Sequence, residues 1–181
     1  MKVLKVLSIV VVLLAVVGLC LPSTTHVERS TVIKAPQERV FEYVNNFQHF
    51  NQWSPWAAKD PNTRYQYSGP ESGVGSKMAW QSDSDQVGSG SQEIIKSEPY
   101  NYVETTLDFG AQGTANANYR ITSTGELTSI TWSFDTDHGW NLLSRGFGLM
   151  MDGMLGPDYE TGLANLKRVV EGQESLKGNT P

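Results

Sequence analysis

The feature that most constrains this chain is a run of short alternating segments between residues 64 and 137. Clusters of Gly, Ser and Pro separate these segments. Strict alternation places apolar side chains on one face of a sheet, and Gly-containing turns join antiparallel neighbours. The sequence therefore predicts a meander of about six strands with one apolar face. Its best-marked strands are Val74–Gln81, Ser91–Ser97, Tyr102–Phe109, Thr114–Thr122 and Leu127–Asp135.

The apolar face of such a sheet needs another element packed against it. A long C-terminal helix is the predicted cover, because apolar residues recur there at spacings of three and four. Gly156-Pro157 interrupts that pattern and predicts a split or a kink in the helix. The polar segment 173–181 predicts a flexible tail. The apolar helix positions are Leu143, Phe147, Met150, Met154, Leu163, Leu166 and Val170.

Two further elements precede the meander. His26–Ile33 alternates as an edge strand does and stops before Ala35-Pro36. Proline suits the first turn of a helix, where its missing N–H is not needed. Val40 and Val44 follow at helical spacing, which predicts a short amphipathic helix from Pro36 onward.

The first twenty-two residues predict a membrane segment. Lys2 and Lys5 precede an apolar run from Val6 to Leu21. As a helix, the 19 residues from Val3 to Leu21 would span roughly 28 Å, close to the ~30 Å hydrocarbon core. Lysines before the run predict a cytoplasmic N-terminus and a domain outside the cytoplasm, periplasmic or extracellular. The sequence therefore predicts a single-pass anchor over residues 1–22.

A cleaved signal peptide, giving a secreted protein, is the alternative. Its cleavage site is poor, since Gly18 and Cys20 are the best small residues available, and Leu19 stands where a lipobox needs a small residue. The length of the run favours retention as an anchor. Cys20 is the only cysteine, so we interpret it as a small apolar residue of that anchor, and no disulfide forms within the chain.

About 160 residues after the anchor suit one domain, predicted over residues 23–172. All 19 acidic residues but only 12 of the 14 Lys and Arg follow Leu21. This acidic excess argues against adsorption on an anionic lipid surface. It also argues against binding a phosphate backbone, which needs clustered positive charge. The sequence therefore predicts no nucleic-acid partner.

The order of elements and several short phrases resemble one known family. The phrases are Val27–Ser30, Ala35-Pro36, Val40-Phe41, Trp53–Trp56, Trp80 and Gly162–Lys167. They resemble the polyketide cyclase/dehydrase and lipid-transport group of the START-like, helix-grip (SRPBCC) superfamily over roughly residues 24–171. The resemblance implies an α+β fold in which a curved antiparallel sheet of about seven strands grips the long C-terminal helix around a deep apolar cavity. It implies no single activity, since members include lipid carriers, small-molecule receptors and aromatase/cyclases.

The apolar positions of the sheet and helix would line that cavity. Aromatic and methionine side chains suit a pliable apolar ligand; the alternative is that they fill a solid core. Trp53 and Trp56 bracket Pro55 and are predicted either to gate the cavity mouth or to pin their loop to the sheet. The predicted cavity residues are Trp80, Phe109, Tyr119, Trp132, Phe134, Phe147, Met150, Met151 and Met154.

Catalytic groups are sparse. His138, with Asp135 and Asp137, is the main acid–base candidate, whereas Glu104 and Arg120 fall on the polar face of the sheet. The sequence lacks the second set of ligands that a metal site needs. We therefore predict no catalytic residue, no cofactor and no metal site.

Three functions remain. The leading hypothesis is a membrane-tethered module that binds a hydrophobic small molecule or lipid. The first alternative is a polyketide cyclase/dehydrase-like enzyme, which needs a titratable side chain in the cavity wall. The second is a protein-interaction domain without ligand, whose exposed aromatics, such as Trp53, Trp56 and Trp140, contact an unknown partner.

Overall fold

The alternating segments form one seven-stranded antiparallel sheet in a computed structural model that describes residues 3, 5, 6 and 16–177. The spatial order is β1-β7-β6-β5-β4-β3-β2, so β2 to β7 form a meander and β1 pairs with β7. This confirms the predicted meander and edge strand. The strands are β1 (Thr24–Ile33), β2 (Arg64–Ser68), β3 (Lys77–Gln81), β4 (Ser89–Glu98), β5 (Tyr102–Asp108), β6 (Thr114–Thr124) and β7 (Leu127–Asp137).

The inner face of the sheet follows the predicted alternation. On β6, Ala115, Ala117, Tyr119 and Ile121 are buried, while Arg120 between them is exposed. The inner residues of β7, among them Ile130, Trp132 and Phe134, are buried as well. Val74 departs from the pattern, because it lies before β3 and is exposed. Gly73 and Gly75 on either side of it adopt positive φ values of 77° and 88°, so the chain turns there instead of extending.

Three short helices connect β1 to β2 and cover part of the inner face. They are α1 (Gln37–Val44), α2 (Phe47–Phe50) and α3 (Pro55–Lys59). α1 begins directly after Pro36, as predicted, and buries Val40 and Val44. The side chain of Asn46 accepts hydrogen bonds from the backbone N–H groups of Gln48 and His49, which caps α2.

The long helix α4 (Leu142–Lys177) packs across the sheet, giving the α+β helix-grip arrangement. Its second half is buried through Tyr159, Leu163, Leu166 and Val170. Of the predicted split or kink at Gly156-Pro157, the split is wrong, since α4 continues through these residues, and the kink stays a prediction. Packing on both sides of the proline outweighs the loss of a single backbone hydrogen bond.

Arg29 of β1 holds the middle of α4 against the sheet edge. Its guanidinium lies 2.8 Å from Asp152 and 2.8 Å from Glu160, one helical turn to either side of Gly156. A Cβ at Gly156 would overlap this guanidinium. Glycine at that position therefore lets Arg29 reach both carboxylates.

The ends of the chain bear on two predictions. No helix within the described residues is both long and apolar enough to cross a bilayer. The predicted anchor falls largely on residues outside the described set and stays a prediction. At the other end, α4 extends to Lys177, five residues into the predicted tail; residues 178–181 lie outside the described residues.

Candidate functional site

A large cavity lies between the inner face of the sheet, α2, α3 and the first half of α4. Its volume is about 560 Å³, within the ~300–1,000 Å³ typical of small-molecule sites. The inner face of the sheet supplies most of its wall, and Ser144, Met151 and Leu155 line it from α4. The curved sheet and the helix thus enclose space as well as a core.

Seven of the nine predicted cavity residues line this wall. They are Trp80, Phe109, Tyr119, Trp132, Phe134, Phe147 and Met151. Those from the sheet follow from alternation, because residues on one face of a strand share an environment. That these side chains contact a ligand stays a prediction.

Met150 and Met154 do not line the cavity. Both face solvent, with 61% and 60% of their surface exposed. The inner line of α4 consists instead of Met151, Leu155 and Tyr159, spaced four residues apart. The first half of α4 carries apolar residues on two faces, and helical spacing alone does not show which face meets the sheet.

Trp53 does not lie at a cavity mouth either. It is only 1% exposed, and its indole N–H donates to the carbonyl of Tyr43 at 3.1 Å. The alternative prediction applies, because Trp53 pins its loop to the core. Trp56 does reach the cavity wall, where its ring packs edge-on against Trp132 and Tyr159.

A cluster of aromatic rings forms one part of the wall. Trp132 stacks on Tyr159 with ring centroids 3.8 Å apart and on Tyr119 at 5.5 Å. Burial raises the pKa of both tyrosine hydroxyls. Both phenols therefore stay neutral near pH 7 and do not act as bases.

The rest of the wall is uncharged but not wholly apolar. Among the described residues, it includes no Asp, Glu, Lys, Arg or Cys. Two wall residues have a buried polar atom without a protein partner, namely Asn51 through Oδ1 and Trp132 through Nε1. Neutral polar side chains that line the cavity, among them Gln92 and Thr136, can hydrogen-bond a polar group on a bound molecule.

His138 brings a titratable ring to the cavity wall. Its Nε2 lies 2.8 Å from Thr25 Oγ1, and its Nδ1 lies 2.9 Å from Ser144 Oγ. A Cβ at Gly148 would overlap both Thr25 and His138. The absence of a side chain there allows α4 to approach this cluster closely.

The acidic residues predicted beside His138 turn elsewhere. Asp137 accepts a hydrogen bond from the backbone N–H of Gly139, and Asp135 pairs with His26. Sequence reasoning missed Ser144 and Thr25 as partners of the ring. No local pattern marks them, since Thr25 lies 113 residues from His138. In the described part of the chain, no group of three or more His, Cys, Asp or Glu is placed to hold a metal ion.

Solved structures share this fold at low sequence identity. Protein SA2116 from Staphylococcus aureus aligns with a TM-score of 0.63 and 13% identity, covering 84% of this chain and 96% of that one. CV1439 from Chromobacterium violaceum aligns with a TM-score of 0.59 and 13% identity, covering 81% of this chain and 97% of that one. The di-domain ARO/CYC StfQ from the steffimycin biosynthetic pathway aligns with a TM-score of 0.61 and 10% identity, covering 84% of this chain and 52% of that one.

Sequence comparison identifies the family more directly. No curated protein matches the chain. The family model described as polyketide cyclase/dehydrase and lipid transport matches residues 24–171, a range that holds the whole sheet, the short helices and most of α4. The chain belongs to the polyketide cyclase/dehydrase and lipid-transport family.

Proposed function

We propose that this protein is a membrane-tethered module that binds a hydrophobic small molecule or lipid in the cavity between the sheet and α4. The single observation that carries the proposal is a cavity of about 560 Å³ with an aromatic, aliphatic and uncharged wall. Apolar surface favours transfer of an apolar molecule out of water, while a charged ligand would find no opposite charge in this wall.

The neutral polar residues of the wall narrow the ligand class. Gln92 and Thr136 line the cavity and carry hydrogen-bond donors and acceptors without charge. A hydroxyl group can both accept a hydrogen bond and donate one. We therefore favour a mainly apolar ligand that carries a hydroxyl or a similar neutral polar group.

Tethering is supported by the sequence of the first 21 residues and by the contacts where that segment ends. Gly18 packs on Leu142, and a Cβ at Gly18 would lie 3.0 Å from Leu142 Cβ. Arg145 donates hydrogen bonds to the carbonyls of Leu19 and Leu21, each at 3.2 Å. The apolar run therefore joins the domain at the start of α4, next to the cavity wall.

The binding proposal is tested by placing one bulky side chain on either side of α4. Met151→Trp fills the cavity, whereas Met154→Trp points to solvent. The protein from Gly18 onward, which keeps the acceptors of Arg145, would be purified from cells, extracted with organic solvent and analysed by mass spectrometry. We expect an apolar molecule in the wild type and Met154→Trp, and at least about tenfold less in Met151→Trp, a difference of ~1.4 kcal/mol or more.

Far-UV circular dichroism of all three proteins controls for misfolding. The same molecule recovered in equal amount from a folded Met151→Trp protein would contradict the proposal. So would three empty extracts together with no binding of a fluorescent fatty alcohol, which is a neutral apolar probe, to any of the proteins.

The position of His138 in the cavity wall supports a second candidate function, that of an enzyme acting on a polyketide-like substrate. A histidine hydrogen-bonded to two hydroxyls at a cavity wall can take a proton from an acidic C–H or O–H group. The ring nitrogen that accepts the proton would be set by its partners Thr25 and Ser144. The uncharged remainder of the wall makes binding the better-supported reading.

Proton exchange tests this second function directly. An aromatic β-diketone exchanges the hydrogens between its two carbonyls in deuterated water, and NMR follows the rate. An enzyme of this kind is expected to accelerate exchange about 100-fold or more over the uncatalysed rate. The His138→Gln protein is expected to show only the uncatalysed rate. Met154→Trp is the matched control that should retain the acceleration. Exchange at the uncatalysed rate with the wild type would dismiss His138 as a base for this substrate class.

A further inference from the structure

We propose that one face of α4 docks on the bilayer surface and holds the adjoining part of the cavity wall there; this rests on the tether of the proposed function. The face, called the outer stripe, consists of Trp140 before α4 and four residues of its first half, each between 60% and 83% exposed. Five large apolar side chains in one stripe form a patch of the kind that marks an interaction surface. The outer stripe consists of Trp140, Leu143, Phe147, Met150 and Met154.

No charged residue of this helical segment belongs to the outer stripe. Arg145 and Asp152 are the charged residues between Gly139 and Pro157. Arg145 is 8% exposed and points to backbone carbonyls. Asp152 is exposed, but it pairs with Arg29 at the sheet edge, and its position two residues from both Met150 and Met154 puts it on the opposite side of the helix. The stripe is therefore apolar over its whole length, as a helix face that enters lipid must be.

The predicted anchor joins the domain beside this stripe, which indicates lipid as the occupant. Gly18 contacts Leu142, adjacent to Leu143 in the sequence. Val16, Val17 and Leu19, on the same short segment, are exposed. A segment that is apolar on all sides is suited to lipid and not to one protein groove, so its exposed residues and the outer stripe form neighbouring parts of one lipid-facing surface.

The dimensions fit docking in the plane of the interface. From Leu143 to Met154 the helix rises about 16 Å, and interfacial helices bury their apolar face ~5–10 Å deep. Trp140 stands at the end nearest the anchor, and tryptophan favours the headgroup level. The acidic excess of the domain gives no attraction to anionic lipid, so apolar burial drives this docking.

Phe147 connects the docking face to the proposed function. It is 65% exposed in the outer stripe and also lines the cavity wall. Ser144 and Met151, beside it on the helix, line the cavity as well. Docking the stripe therefore places this part of the cavity wall at the bilayer surface, where an apolar ligand can enter without crossing water.

The test uses the full chain in phosphatidylcholine vesicles, with Cys20→Ala as background and one nitroxide label per protein. Met150→Cys places the label on the outer stripe. Leu127→Cys is the matched control, exposed at the start of β7, about 30 Å of strand away from Trp140. Oxygen, which concentrates in lipid, and a water-soluble nickel chelate compete to relax the label. We expect an oxygen-to-nickel ratio several-fold higher at residue 150 than at residue 127.

Equal ratios at the two sites, with the protein sedimenting with the vesicles, would overturn the docking and leave the tether standing. Spin–spin broadening at residue 150 would assign the stripe to a second copy of the chain and also overturn it. Protein that fails to sediment with the vesicles would remove the tether and the docking together. None of these results alters the Met151→Trp comparison, so failure of ligand binding is recognised separately.

Discussion

Replacing Trp132 with alanine is expected to lower the free energy of unfolding by about 4 kcal/mol, because large-to-small changes at buried aromatic residues cost ~3–5 kcal/mol. Trp132 is fully buried on β7. It stacks on Tyr159 and meets Trp53 edge-on at 5.2 Å. Removing the ring leaves a void at the contact between the sheet and α4. Urea denaturation of the full chain in mild detergent, followed by far-UV circular dichroism, measures the loss.

Trp140→Ala is the matched control for this substitution. Trp140 is 83% exposed, so its removal should change stability by no more than about 0.5 kcal/mol. A Trp132→Ala protein within about 1 kcal/mol of the control would mean that this ring does not hold the helix to the sheet.

Gly162→Leu is expected to lower the free energy of unfolding by about 2–3 kcal/mol, although leucine is the better helix former. A Cβ at Gly162 would lie 2.8 Å from the ring of Trp132 and 3.1 Å from Pro55. The helix would have to move away from the sheet to fit a larger side chain. The same denaturation experiment measures the change.

Gly153→Leu, on the same helix, is expected to change the free energy of unfolding in the opposite direction. No atom lies within 4 Å of a Cβ built at Gly153, so only helix propensity acts, and stability should rise by about 0.5–1 kcal/mol. A loss of similar size at both positions would show that glycine is needed in α4 for a reason other than contact with Trp132.

Much of the sheet was predictable because each strand carries its own evidence. Alternation in β6 and β7 assigns Tyr119 and Trp132 to the buried face without knowledge of their neighbours. Pro36 likewise marks the start of α1 through a local property, its missing N–H. These signals depend on residues close in the chain, and the structure confirms them.

The first half of α4 was predicted less well because a helix has several faces and its sequence does not say which one meets the sheet. Leu143, Phe147, Met150 and Met154 share helical spacing, and so do Met151 and Leu155 one face away. Which of the two faces meets the sheet depends on the residues of the sheet that contact the helix. In the structure, Arg29 on β1 pairs with Asp152, and the second set, Met151 and Leu155, lines the cavity.

The polar part of the site was beyond local reasoning altogether. His138 meets Thr25 because β1 and β7 are paired, and it meets Ser144 because α4 starts shortly after β7. Both contacts depend on the topology of the whole sheet. In the sequence, His138 follows Asp135 and Asp137, and this order suggested the two carboxylates as its partners.

Arg145 has a mechanical consequence for a tethered protein. Its guanidinium binds the carbonyls of Leu19 and Leu21 on one side and that of Gly139 on the other, so no free linker separates the apolar run from the domain. With the proposed tether, the domain has almost no reach. A ligand taken up at one membrane would stay within a protein's width of it, and a second carrier would have to collect the ligand for delivery elsewhere.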